Sequence, residues 1–179
     1  MIHRERERAA PYTCRMDSPL GSILFLGSRS GLVSLHLEKT RYGPFPSPDR
    51  EEDPSVFTEA REQLTAYFAG TLKVFGLRLA AEGTPFQNKV WRALMDIPFG
   101  ETESYGALAK RIGRDGAARA VGLANGHNPI AIIVPCHRVI GADGSLTGYG
   151  GGIERKKWLL EHERRFSGSK TGRQATLNW

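Results

Sequence analysis

The sequence predicts an α/β unit followed by a mainly helical one. Three observations carry this: two alternating apolar runs parted by a glycine-bearing turn, a proline-capped helix opening at Thr84, and two short helices in tandem after it. In the first half, Arg4 to Arg8 reads as a solvated end. Ser22 to Leu26 and Leu32 to Leu37 alternate as strands, and Gly27 to Gly31 supplies the turn of an antiparallel hairpin. Arg41 to Pro54, rich in proline and acid, reads as a loop. Phe57, Ala60, Leu64, Tyr67 and Phe68 recur at helical spacing, with Gly70 placed to end that helix, and Val74 to Ala80 alternates as a further strand. Cys14 and His36 read as packing or surface residues.

In the second half, Thr84 is an N-cap with Pro85 at the first helical position, so a helix is expected through Phe86, Val90 and Leu94 to about Asp96, where Ile97-Pro98-Phe99 stops it. Ser104 caps a second helix carrying Tyr105, Leu108, Ala109 and Ile112 and ending at Gly113. Ala117 to Asn125 forms a third, and the pair reads as a helix-turn-helix. After Asn128-Pro129, Ile130 to Val134 reads as a buried strand that delivers Cys136.

Composition narrows the function. The 179 residues allow one domain or two small ones, and 40% hydrophobic with 25% charged residues excludes a disordered chain. The longest apolar stretch, Pro129 to Cys136, is far short of the roughly eighteen residues of a membrane span, and the charged start lacks a signal peptide's apolar segment, so a cytoplasmic protein without a membrane partner is expected. Two cysteines, Cys14 and Cys136, make no disulfide framework or zinc spacing. The net charge of +6 lies wholly in the second half: residues 1–84 hold 11 basic and 11 acidic side chains, residues 85–179 hold 14 and 8. That half is expected to face a polyanion such as a nucleic-acid backbone.

The third helix, Ala117 to Asn125, carries one long charged side chain, Arg119. It is ill-equipped to read base edges in a major groove, and its small residues suit close approach to a narrow groove or packing against a neighbouring helix. At the thiol, a free cysteine is mostly protonated at neutral pH, so nucleophilic work needs a base or a positive environment. His137 and Arg138 are the adjacent suppliers. Because neighbouring side chains diverge, His137 acts either through a water or through a bend in the backbone. The glycine cluster from Gly141 to Gly152 lacks the lysine and serine order of a phosphate loop.

The string Pro135-Cys136-His137-Arg138-Val139, with Asn128-Pro129 and Ala118-Arg119-Ala120-Val121-Gly122 before it, resembles the active-site signature of the O6-alkylguanine-DNA alkyltransferases. The likeness extends from Thr84-Pro85-Phe86-Gln87 and Val90-Trp91, through Pro98-Phe99-Gly100-Glu101 and Ser104-Tyr105, to Gly148 through Gly152 and Trp158 through Glu163. It implies a ribonuclease-H-like α/β domain over residues 1–83, a winged helix-turn-helix, alkyl-acceptor domain over 84–166 and a flexible tail over 167–179; the stretch Arg164 to Trp179 is expected to lie past the last matched helix.

The activity implied is direct reversal of DNA damage, with the alkyl group on guanine O6, or more weakly thymine O4, moving irreversibly to Cys136. By the same resemblance His137, oriented by Glu163, is the water-mediated base, and Tyr105 donates toward guanine N3. Main-chain groups at Cys136, Val139 and Gly150 read the base, and Tyr149 walls the pocket. Arg119 fills the space of the flipped base, Ala120 and Gly122 meet the minor groove, and Asn128 is the hinge between DNA-binding helix and acceptor segment. The implied partner is double-stranded DNA bound with little sequence preference by a monomer, with no cofactor and no metal. Rival readings are an alkyltransferase-like lesion-binding protein without transfer, a winged-helix transcription regulator, and a thiol hydrolase that turns over.

Overall fold

The computed structural model describes residues 10–38 and 50–168. Strands β1 (Tyr12–Met16), β2 (Ile23–Ser28), β3 (Gly31–Leu37) and β4 (Glu51–Glu52) form one sheet in the order β3-β2-β1-β4. β2 runs antiparallel to β1 and β3, while β4 lies parallel to β1. The expected hairpin is present with longer strands, so that Arg29 and Ser30 alone separate them. Its closure needs glycine at position 27, where a Cβ would stand 2.7 Å from the Gly31 carbonyl oxygen. β2 is covered on both faces: Ile23 and Phe25 join the main core, and Leu24 and Leu26 pack with Ala10.

Three features differ from the sequence reading. β1 was not assigned, although Tyr12, Cys14 and Met16 alternate with Thr13 and Arg15; Cys14 is fully buried, and burial pushes its thiol up to about 11, which makes it a packing residue. Within the stretch read as a loop, Glu51 and Glu52 pair with β1, because Glu51 and Asp53 donate to the carbonyls of Pro11 and Thr13. Val74 to Ala80 is extended but forms no strand. Phe75, Leu77 and Leu79 do alternate inward, yet the segment meets β3 at a single bridge, through Leu32 N–H to Arg78 and Ala80 N–H to Leu32.

Helix α1 (Thr58–Phe68) follows a 3-10 turn capped by Asp53. It ends near Gly70, whose φ of +74° and lack of a Cβ let the Phe166 ring pack against the chain there. Helix α2 (Pro85–Met95) begins where expected, with a reciprocal capping box: Gln87 N–H donates to Thr84 Oγ1 at 3.2 Å and Thr84 N–H to Gln87 Oε1 at 2.9 Å. Then come β5 (Glu103–Ser104), α3 (Tyr105–Arg111) capped by Ser104, and α4 (Ala118–Gly126), the expected helix-turn-helix. After β6 (Val139–Ile140), α5 (Ile153–Ser167) closes the fold. α5 takes in Arg164 to Ser167, which the sequence reading placed past the last helix; the periodic burial of Lys156, Leu159 and Glu163 carries the helix on to the Gly70–Phe166 contact. Residues 1–9, 39–49 and 169–179 lie outside the described residues, and with them the expected solvated start, most of the proline-rich loop and most of the tail.

The halves share one core. β3 lends its outer edge to the second half, with Leu35 N–H donating to the Pro129 carbonyl and Ala131 N–H to the Leu35 carbonyl, both at 2.9 Å. The segment leading to Cys136 is thereby anchored on the first half's sheet.

Candidate active site

Ile130 to Val134 is not a strand but a buried turn. A β-branched apolar run suits either, and here, apart from the bond of Ala131 N–H to β3, the backbone hydrogen bonds go to the run itself and to one side chain. Ile133 N–H reaches the Ala131 carbonyl at 2.8 Å and Val134 N–H the Ile130 carbonyl at 3.1 Å. Ile132 adopts φ +70°, a conformation that costs a β-branched residue of the order of 1–3 kcal/mol and persists only where surroundings enforce it. Asn128 is the enforcer: its Nδ2 donates to the Val134 carbonyl at 2.8 Å and the Ile130 carbonyl at 3.3 Å, and its Oδ1 accepts from Ile130 N–H at 3.0 Å. Asn128 follows directly on the end of α4, so one clamp fixes both the helix exit and the approach to the thiol.

Cys136 opens a 3-10 turn, Cys136–Arg138, and is 6% exposed. Burial raises its thiol above the ordinary value; the Asn128 side chain, the Lys156 charge and the backbone N–H groups of Cys136 and His137 oppose that rise without cancelling it. The resting sulfur is therefore a protonated thiol, and it is ionised only by a base that takes its proton. Arg138, expected to supply charge, turns away: its Nε and Nη2 donate to Glu163 at 2.8 and 3.0 Å and its Nη1 to the Ile97 carbonyl at 2.6 Å. The cation facing the sulfur is Lys156 of α5, which the sequence reading missed because it falls in the charged run Glu154 to Lys157. It is fully buried, donates to the carbonyls of Val139 at 2.6 Å and Thr147 at 2.8 Å, and is pushed down to about 8 by burial, with Cys136 opposing that shift.

His137 and Glu163 are fully buried, with Nε2 2.7 Å from Oε1. Burial pushes the Glu163 carboxyl up, but His137 and Arg138 overcome it and hold the group well below the usual carboxylate range. A carboxylate only accepts, so it fixes the proton on Nε2 and leaves a lone pair on Nδ1. Nδ1 is buried and has no hydrogen-bond partner among the described residues, and burial holds the imidazole below its ordinary value. The dyad is a neutral base with its acceptor atom uncommitted.

The parallel pairing of β5 with β6 sets Glu103 beside Val139 and Ser104 beside Ile140, which brings Tyr105 to the acceptor. Tyr105 OH donates to the Thr147 carbonyl at 3.1 Å; burial, then the neighbouring Cys136, raise its phenol above the ordinary range. A recess of about 30 Å³ touches Cys136, Asn128, Asn125, Tyr149, Gly150 and His36. That volume holds a water or two. Tyr149 lines the recess, and its hydroxyl is buried with no hydrogen-bond partner among the described residues. His36, from β3, and Asn125, whose Nδ2 donates to the Cys136 carbonyl at 3.2 Å, are lining residues that sequence reasoning missed. On α4, Arg119 and Ala120 are exposed, whereas Gly122 is half-buried and bears on the Tyr105 ring; Leu123, 64% exposed, joins Arg119 and Ala120 on the outer face. Among the described residues no cluster of three or more His, Cys, Asp or Glu is placed to hold a metal ion.

These features define a helix-turn-helix protein with a buried cysteine beside a buried His–Glu pair. Residues 12–81 match the ribonuclease-like domain of 6-O-methylguanine DNA methyltransferase, and residues 85–165 match its DNA-binding domain. The chain is 57% identical over 149 residues to a methylated-DNA–protein-cysteine methyltransferase of Mycobacterium tuberculosis, covering 83% of this chain and 90% of the relative. It is 52% identical over 152 residues to the protein of that name from Methanosarcina acetivorans, covering 85% and 97%. The fold superimposes on a crystal structure of Mycobacterium tuberculosis OGT in complex with DNA with a TM-score of 0.83 at 55% identity, covering 87% of this chain and 94% of that one. The chain belongs to the 6-O-methylguanine DNA methyltransferase family, with a ribonuclease-like first domain and a DNA-binding second domain.

Proposed function

We propose that this chain repairs O6-alkylguanine in duplex DNA by moving the alkyl group to Cys136, irreversibly and once per molecule, and acts more weakly on O4-alkylthymine. The observation that carries the reading is the buried His137–Glu163 pair next in sequence to the buried Cys136, with an imidazole Nδ1 that has no hydrogen-bond partner among the described residues. His137 Nδ1 takes the thiol proton across one water, and Glu163 stabilises the imidazolium that results. The sulfur attacks the alkyl carbon, the carbon–O6 bond breaks, and the electron pair stays on the guanine. Tyr105 donates toward N3 as charge grows on the base, with Lys156 supporting the thiolate. Main-chain groups at Cys136, Val139 and Gly150 read the base, and Tyr149 walls the pocket.

A purine in a duplex hides its O6, so the base is rotated out at a cost of a few kcal/mol. We assign the minor groove to the exposed face of α4, with Arg119 filling the vacated stack, Ala120 and Gly122 giving close approach, and Asn128 holding the hinge. A face so poor in base-reading side chains supports binding with little sequence preference; a monomeric state and a cytoplasmic location belong to the same proposal. The boundaries 1–83, 84–166 and 167–179 belong to the same proposal. A lesion-binding protein without transfer needs no acceptor thiol, and a sequence-reading regulator needs a richer recognition helix.

Titrating a fixed amount of protein with excess O6-methylguanine duplex tests the reading. Methyl removal is expected to level off at about one per protein molecule, because a thioether is stable and nothing in the site would reverse it. Continued turnover would contradict it and favour a hydrolase.

A further inference from the structure

The carboxylate of Glu163 is crowded. Among the described residues five donors converge on it: Tyr67 OH at 2.8 Å, His137 Nε2 at 2.7 Å and Arg138 Nη2 at 3.0 Å on Oε1, with Arg138 Nε at 2.8 Å and Gly100 N–H at 3.1 Å on Oε2. A carboxylate offers about four lone-pair directions, so the donors compete. Four come from the second half; the fifth, Tyr67, comes from α1, 96 residues away in sequence. Its ring is fully buried among Phe68, Phe75, Phe99 and His162, and its carbonyl oxygen is bound by His162 Nε2 at 2.8 Å. The phenol is thus held in place at both ends. Burial, then Glu163, keep it protonated well beyond the ordinary tyrosine range, so it donates at every working pH.

We propose that Tyr67 is a positioning residue for alkyl transfer: its hydroxyl occupies the oxygen that holds His137, draws charge from it, and so sets the pH below which the imidazole is protonated and unable to take the thiol proton. This rests on the function proposed above and gives the ribonuclease-like domain a part in the chemistry beyond support. The other titratable or charged groups facing the dyad are Arg138 and Cys136 from the 3-10 turn, Lys156 and His162 from α5, and Tyr149 from the glycine-rich loop. Of these only Arg138 shares Oε1 with the Tyr67 hydroxyl, so removing the Tyr67 oxygen frees that oxygen for His137 and Arg138 together. Without it Glu163 bonds His137 more strongly, the imidazolium is favoured, and the imidazole's inflection moves to higher pH.

The test is the single-turnover rate of methyl transfer from O6-methylguanine duplex to the full chain from pH 5 to 9, for the parent, Tyr67→Phe and Phe75→Leu. Phe75 packs on the Tyr67 ring at 5.3 Å without touching the carboxylate, so it reports loosened packing alone. For Tyr67→Phe the acid limb is expected to move up by about half a unit, making it about three-fold slower below the inflection and equal to the parent at high pH. Phe75→Leu keeps the parent's inflection. An unmoved inflection in Tyr67→Phe, or slowing by the same factor at every pH, overturns the role of Tyr67 while leaving the transfer reading standing. Absence of transfer in the parent overturns both.

Discussion

Glu163→Gln is expected to slow alkyl transfer by about a hundred-fold or more, the lower end of what a positioned acid–base group contributes. It is also expected to lower the thermal midpoint by about 10 °C. The amide keeps the shape and loses the charge. Arg138, 6% exposed, is then a buried guanidinium without its counter-charge, left with the Ile97 carbonyl and one amide oxygen as acceptors, and breaking a buried pair by removing one member costs about 3–5 kcal/mol. The amide nitrogen also faces donors where acceptors are needed, so His137 loses the contact that fixes its tautomer. The stability loss carries its own pH signature. Because the folded carboxyl lies below its unfolded value near 4.3, its contribution is complete above that value and is lost as pH falls through the folded one. Melts from pH 3 to 7 are expected to show the full gap between parent and variant at neutral pH and a narrowing gap below about pH 4.

Arg119→Ala is expected to slow repair of duplex about fifty-fold while leaving reaction with a free alkylated guanine base within about two-fold of the parent. The side chain is exposed, so its removal costs the fold at most about 0.5 kcal/mol. What it changes is the balance of extrusion, where a few kcal/mol of lost stacking and pairing must be offset by whatever fills the gap. A free base pays no such cost. The ratio of the two rates therefore isolates the plug from the chemistry, and equal slowing of both substrates would remove that role from Arg119.

Much of this was legible in the chain. Thr84-Pro85 fixes the start of α2 because an N-cap and a first-turn proline act through their own backbone, and Gly27 and Gly31 mark the hairpin for the same local reason. The string around Cys136 singled out the thiol proposed as acceptor, and the pairing of His137 with Glu163 followed from the family resemblance. What escaped depends on which way particular side chains turn, near in sequence or far. Ile130 to Val134 looks the same as strand or turn until Asn128 is seen to take up its backbone groups. Arg138 sits next to the thiol in sequence yet points to Glu163, while Lys156, 20 positions on from Cys136, supplies the charge. Tyr67 reads correctly as core from its helical spacing, and no pattern in α1 could show that its oxygen ends on the dyad's carboxylate. His36 likewise reaches the recess only because β3 lies against the acceptor turn.

The central claim is that the sulfur of Cys136, protonated at rest, becomes the permanent home of the lesion's alkyl group. Peptide mass spectrometry after one exposure to O6-methylguanine duplex tests it most directly. The account predicts a single methyl on the peptide containing Cys136, an unmodified Cys14 peptide, and guanine restored in the DNA. Restored DNA with an unmodified Cys136, or a methyl found on Cys14, would contradict it.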